Sequence, residues 1–145
     1  MNPNRIDNTE FTKLLGQWKT EGTILRDLHK PAQKFSGTDT YELILDGFYI
    51  LHRADVLMGD VRSETFELIG FDESTQQAYF EYYNNYGVSG KMTGHLEDNE
   101  LEIIGDDLRF DGWLSKNYDT LTGVWDRFED NNWIRFLEIK LTKIG

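Results

Sequence analysis

The sequence predicts an all-β fold, an antiparallel up-and-down β-barrel of about eight to ten strands behind a short N-terminal helix. Three observations predict it. From residue 17 to the C-terminus, apolar and polar residues alternate with period two. The alternating runs are separated by Asp, Asn and Gly pairs suited to tight turns. Thirteen glycines stand against two prolines, spread through turns and strands as short strands require. A meander this long leaves two unpaired edges unless its first and last strands meet, so closure is the expected outcome.

At 145 residues the chain suits one domain spanning residues 1–145. Asn8 or Thr9 can cap the helix, Phe11, Leu14 and Leu15 share one of its faces, and Gly16 stops it. Two helical turns are marginal alone, so this segment should plug one end of the barrel. Strands are expected near 17–27, 34–46, 48–58, 62–71, 77–84, 88–97, 100–105, 108–116, 120–128 and 132–142. Two hairpins can be registered. A two-residue loop at Asp98-Asn99 opposes Leu96 to Leu101, Gly94 to Ile103 and His95 to Glu102. That makes His95 an outward histidine with a carboxylate across from it. A loop at Asp130-Asn131 opposes Phe128 to Trp133, Asp126 to Arg135 and Val124 to Leu137.

The more apolar face of each strand supplies the expected lining: Trp18, Ile24, Tyr41, Leu43, Leu45, Phe48, Ile50, His52, Ala54, Val56, Phe66, Leu68, Phe80, Tyr82, Met92, Leu96, Leu101, Ile103, Leu137 and Ile139. Candidate cavity residues are Tyr41, His52, Phe66, Phe80, Tyr82, Asp126 and Arg135. Arg135 could take a ligand carboxylate in bidentate fashion, although Asp126 opposite it competes as a structural ion-pair partner. Trp113, Trp125 and Phe136 fall on the outer face, where a cluster would suit a homodimer contact.

Composition narrows the function classes. A net charge of −11 with a pI near 4.6, and no basic cluster, argues against nucleic acid or an anionic membrane surface as partner. Without cysteine there is neither disulfide nor thiolate chemistry, and no metal-spaced His/carboxylate cluster is visible. No signal-peptide-like or membrane-spanning apolar run occurs, so a cytoplasmic location is expected. Nucleophile-elbow and phosphate-binding glycine motifs are also missing.

Gly16-Gln17-Trp18 behind a short helix is similar to the opening of lipocalin-like barrels, in which the indole closes one end. Further matches run from Leu45 to Phe48, Gly70 to Asp72, Tyr79 to Tyr86 and Leu137 to Thr142. Together they resemble a bacterial lipocalin-like, calycin-type family catalogued as domain of unknown function 1579. The resemblance implies the fold, with Gly16 and Trp18 as barrel closure, and implies no general activity. Lipocalins often lay a late-strand arginine across the indole; here Lys140, Leu141 and Lys143 occupy that neighbourhood. Haem barrels that share the Gly-x-Trp opening take iron through a histidine near the C-terminus. The histidines here are His29, His52 and His95, so no cofactor is expected. The expected function is enclosure of a small hydrophobic ligand. The alternatives are an isomerase or hydrolase using His52 in the same cavity, and a protein-interaction module.

Overall fold

The computed structural model describes residues 4–145. Ten antiparallel strands form one closed barrel. They are β1 (Gly16–Ile24), β2 (Gln33–Ile44), β3 (Tyr49–Met58), β4 (Val61–Asp72), β5 (Gln77–Asn84), β6 (Ser89–Glu97), β7 (Glu100–Ile104), β8 (Leu108–Leu114), β9 (Thr120–Glu129) and β10 (Asn132–Lys143). Each strand pairs with its sequence neighbours, and β1 pairs with β10 from Trp18 opposite Lys143 to Ile24 opposite Leu137. That last ladder removes both open edges.

The expected N-terminal helix is instead two 3-10 turns, Ile6–Asn8 and Glu10–Leu14. Thr9 divides them: its backbone is extended, and its hydroxyl donates to the Ile6 carbonyl while accepting from the Phe11 N–H. A residue that satisfies both neighbouring turns through its own side chain breaks the helix it was expected to start. Ile6, Phe11 and Leu14 are nevertheless buried and close one end of the barrel, as expected of an end plug.

Trp18 lies under that plug, fully buried. Its indole N–H donates to the Leu14 carbonyl at 2.8 Å, so the ring ties the plug to β1. The Lys143 ammonium sits 4.8 Å from the ring centroid, a cation–π contact with the last strand. Gly16 has φ +131°, and a Cβ there would stand 2.6 Å from the Gly145 carbonyl oxygen. Glycine is required where plug, first strand and C-terminus converge.

The Asp98-Asn99 hairpin has the expected register, with both turn residues at positive φ and His95 opposite Glu102, their side chains 3.7 Å apart. The Asp130-Asn131 hairpin follows expectation only as far as Asp126 opposite Arg135. Beyond it a bulge at Phe136 shifts the register, so Leu137 opposes Trp125 rather than Val124. One extra residue changes which side of the sheet β9 presents. Trp125 faces inward and packs on Phe110, with centroids 5.1 Å apart, correcting its expected outward position. Phe136 lines the interior as well, so of the three aromatics expected on the outer face only Trp113 is exposed there.

Gly112 and Gly123 face each other across β8 and β9, and the Phe110 ring occupies the space their side chains would take. A Cβ on Gly123 would lie 2.3 Å from the Phe110 ring. Gly123→Ala is therefore expected to push that ring off its site and lower stability by about 1–3 kcal/mol, read from urea unfolding.

Candidate functional site

The barrel encloses a cavity of about 400 Å³. Its lining divides by strand. Every lining residue of β6 to β10 is apolar: Met92, Leu101, Ile103, Leu108, Phe110, Leu121, Trp125, Phe136, Leu137, Ile139 and Leu141. Every polar lining residue comes from β1 to β5: Thr20, Asp39, Tyr41, His52, Ser63, Thr65, Glu67, Tyr82 and Asn84. Period-two alternation points these side chains inward, and the closed sheet then sets one polar wall against one apolar wall.

The polar wall is organised around His52. On β3 it stands opposite Tyr41 of β2 and Glu67 of β4, with Asp39 two residues along from Tyr41. Its Nδ1–H donates to Glu67 Oε1 at 2.8 Å and its Nε2–H donates to Asp39 Oδ1 at 2.7 Å. The Thr20 hydroxyl donates to the second oxygen of Asp39. Asp39, Glu67 and Thr20 are all buried. The Tyr41 ring stacks on the imidazole, 4.0 Å between centroids and 7° from parallel.

Burial opposes the charged form of His52, but the hydrogen bonds to Asp39 and Glu67 and their negative charge outweigh it. Its pKa is raised from 6.5 to about 9. Both ring nitrogens are then donors, consistent with an imidazolium clamped between two carboxylates. Tyr41 moves well above the ordinary tyrosine range, through burial first and then the charges of Asp39 and Glu67, and stays a neutral phenol. Tyr82 is also raised, mainly by burial.

Of the residues expected from the sequence, Tyr41, His52, Phe80 and Tyr82 line the cavity. Phe66 does not. It is 45% exposed on the outer face, with the Arg53 guanidinium 5.9 Å from its ring. Preferring the more apolar face of β4 selected the wrong one, because Ser63, Thr65 and Glu67 point inward. Asp126 and Arg135 also lie outside. Asp126 is held between Arg109 at 3.1 Å and Arg135 at 3.3 Å, with Arg109 stacked on Trp133. The ion pair forms as the register predicted, but on the barrel's exterior.

Asp39, Thr20 and Glu67 are the residues that sequence reasoning missed. A signal for Glu67 existed: a turn at Gly59-Asp60 opposes Met58 to Val61, and counting back opposes His52 to Glu67.

The profile of a protein family of unknown function, DUF1579, matches residues 8–112. The chain belongs to the DUF1579 family. The DUF1579 match takes in β1 to β7 and ends within β8, so the whole polar wall lies inside it. Trp125, Phe136 and Leu137 of the apolar wall lie beyond it. No curated protein matches the chain. No helix among the described residues is long and apolar enough to cross a membrane.

Outside the barrel, Glu100, Glu102 and Asp111 bring carboxylate oxygens within 4.8 Å of one another on β7 and β8. The adjacent Asp111 carboxylate raises the Glu100 pKa.

The raised His52 pKa makes a stability prediction with a definite sign. Below pH 6.5 the imidazole is protonated in both folded and unfolded chains, and the clamp contributes fully. As pH climbs through about 9 the folded state loses that proton and the contribution disappears. Urea unfolding should therefore show up to about 3 kcal/mol lost between pH 6.5 and 9 in the native chain, and a much flatter profile in His52→Gln.

Proposed function

We propose that this protein is a binding module that encloses one small, largely hydrophobic molecule within its barrel. The observation that carries this reading is the cavity: ten strands close around about 400 Å³ of space that their side chains do not fill. That volume lies at the small end of ligand sites, and the lining has the usual character of one, apolar with a few converging polar groups. Its apolar wall offers Phe110 and Trp125 as flat contact surfaces.

The same geometry favours binding over catalysis by His52. A general base needs a free lone pair on nitrogen, whereas both His52 nitrogens are engaged as donors to carboxylates. An acid group on the ligand finds no guanidinium, because Arg135 lies on the exterior and, among the described residues, no lysine or arginine lines the cavity.

Among the described residues Trp125 is the only tryptophan in the lining, so occupancy should register in fluorescence. Titration with uncharged apolar probes such as 1-octanol or naphthalene is expected to change the emission saturably, and Trp125→Phe should abolish most of the change. Ala54→Phe fills the cavity beside Asp39 and should weaken probe binding at least tenfold. No saturable binding to the native chain by fluorescence or calorimetry would refute the reading.

A further inference from the structure

We propose that the cavity selects an amphiphile whose polar end is an ammonium, with Glu67 as its acceptor and the β6–β10 wall as the seat of its apolar body. This inference rests on the binding reading above and names the ligand class it leaves open.

Charge inside the barrel is the first support. Among the described residues the lining holds two carboxylates, Asp39 and Glu67, and a single basic side chain, His52. The imidazolium is already shared between those carboxylates, at 2.7 and 2.8 Å. One negative charge is therefore left over on carboxylates that are themselves buried, where an unmatched charge is costly and a matching cation is correspondingly favoured. A ligand carboxylate would add a second unmatched charge.

Hydrogen-bonding capacity is the second. Both Asp39 oxygens are engaged, one by His52 and one by Thr20. Glu67 uses Oε1 for His52, while no hydrogen bond from the described residues reaches its Oε2. Glu67 is buried and faces the cavity, so that oxygen is the acceptor still available to an N–H donor. Tyr82, opposite Glu67, and Thr65, two residues along β4, neighbour it on the lining and can take the remaining ammonium hydrogens.

The third is the opposite wall. Phe110, Trp125 and Phe136 present aromatic faces among aliphatic side chains, a surface that receives an alkyl or aryl body and tolerates a nearby cation.

Isothermal titration of the full chain at pH 7 with octylamine, 1-octanol and octanoate separates the ideas, since the three share one tail and differ in the charge of the head. Octylamine is expected to bind at least tenfold tighter than octanol, and octanoate at least tenfold weaker. Glu67→Gln keeps an acceptor for His52 but removes the charge; it should erase the amine advantage, so that octylamine and octanol then bind within about twofold of each other. Far-UV circular dichroism and the urea midpoint serve as the folding control, and Asp39→Asn, judged by the same comparison, replaces Glu67→Gln if that control fails. Octanol binding without amine preference, or an amine preference that survives the substitution and so belongs to the acidic exterior, overturns this inference and spares the binding reading. Failure of all three probes overturns both.

Discussion

Everything inside this molecule depends on the ladder between β1 and β10. Seven residue pairs, from Trp18 opposite Lys143 to Ile24 opposite Leu137, turn a ten-strand meander into a cylinder. Once the sheet is closed, each strand has an interior side, and alternation forces half of its side chains there regardless of polarity. In an open sheet Glu67 or Asp39 would meet water. In the closed one they must find partners, and they find a shared imidazolium. The ladder itself is secured at one end by Trp18, whose ring lies between the N-terminal plug, which it reaches through the Leu14 carbonyl, and the Lys143 ammonium of the last strand.

The polar wall follows from this constraint and from registry. His52 meets Tyr41 on one side and Glu67 on the other because the β2–β3 and β3–β4 pairings fix those residues at one level. A one-residue slip in either hairpin would turn one of them outward and leave a buried carboxylate or imidazole without its counterpart. Burying two carboxylates around one histidine costs desolvation, and the hydrogen bonds and opposite charges outweigh that cost only while the imidazole is protonated. The clamp therefore ties β2, β3 and β4 together at one level, and it gathers the charged groups of the lining on one wall.

The apolar wall depends on the opposite device, an irregularity. The bulge at Phe136 rotates β10 so that Phe136 and Leu137 both reach the interior, and it brings Trp125 across from Leu137. The Gly112 and Gly123 pair then leaves room for the Phe110 ring beneath Trp125. On the exterior the same shift leaves Asp126 between two arginines, a solvent-bordered cluster in which Arg109 and Arg135 are about half exposed. Asp126 itself is buried in that cluster, so the two arginines keep its carboxylate paired while their own outer ends remain in solvent.

The sequence by itself determined the strand order, the turns and the closed end. Period-two alternation, Asp/Asn/Gly turns and the Gly16-Gln17-Trp18 element are local signals, and local signals are what a linear chain carries. It also placed Tyr41, His52, Phe80 and Tyr82 on inner faces, because there the apolar side of each strand is the inner side. Where the inner side is polar, as at Ser63, Thr65 and Glu67, composition pointed the wrong way and put Phe66 inside. Only the tertiary structure decided that Asp39 and Glu67 converge on His52 from neighbouring strands, and that a single inserted residue at Phe136 moves Trp125 inward while Asp126 and Arg135 stay outside. The physical reason is that the inward direction of a strand is set by its partners' registry around a closed ring, a property of ten strands together and of none alone.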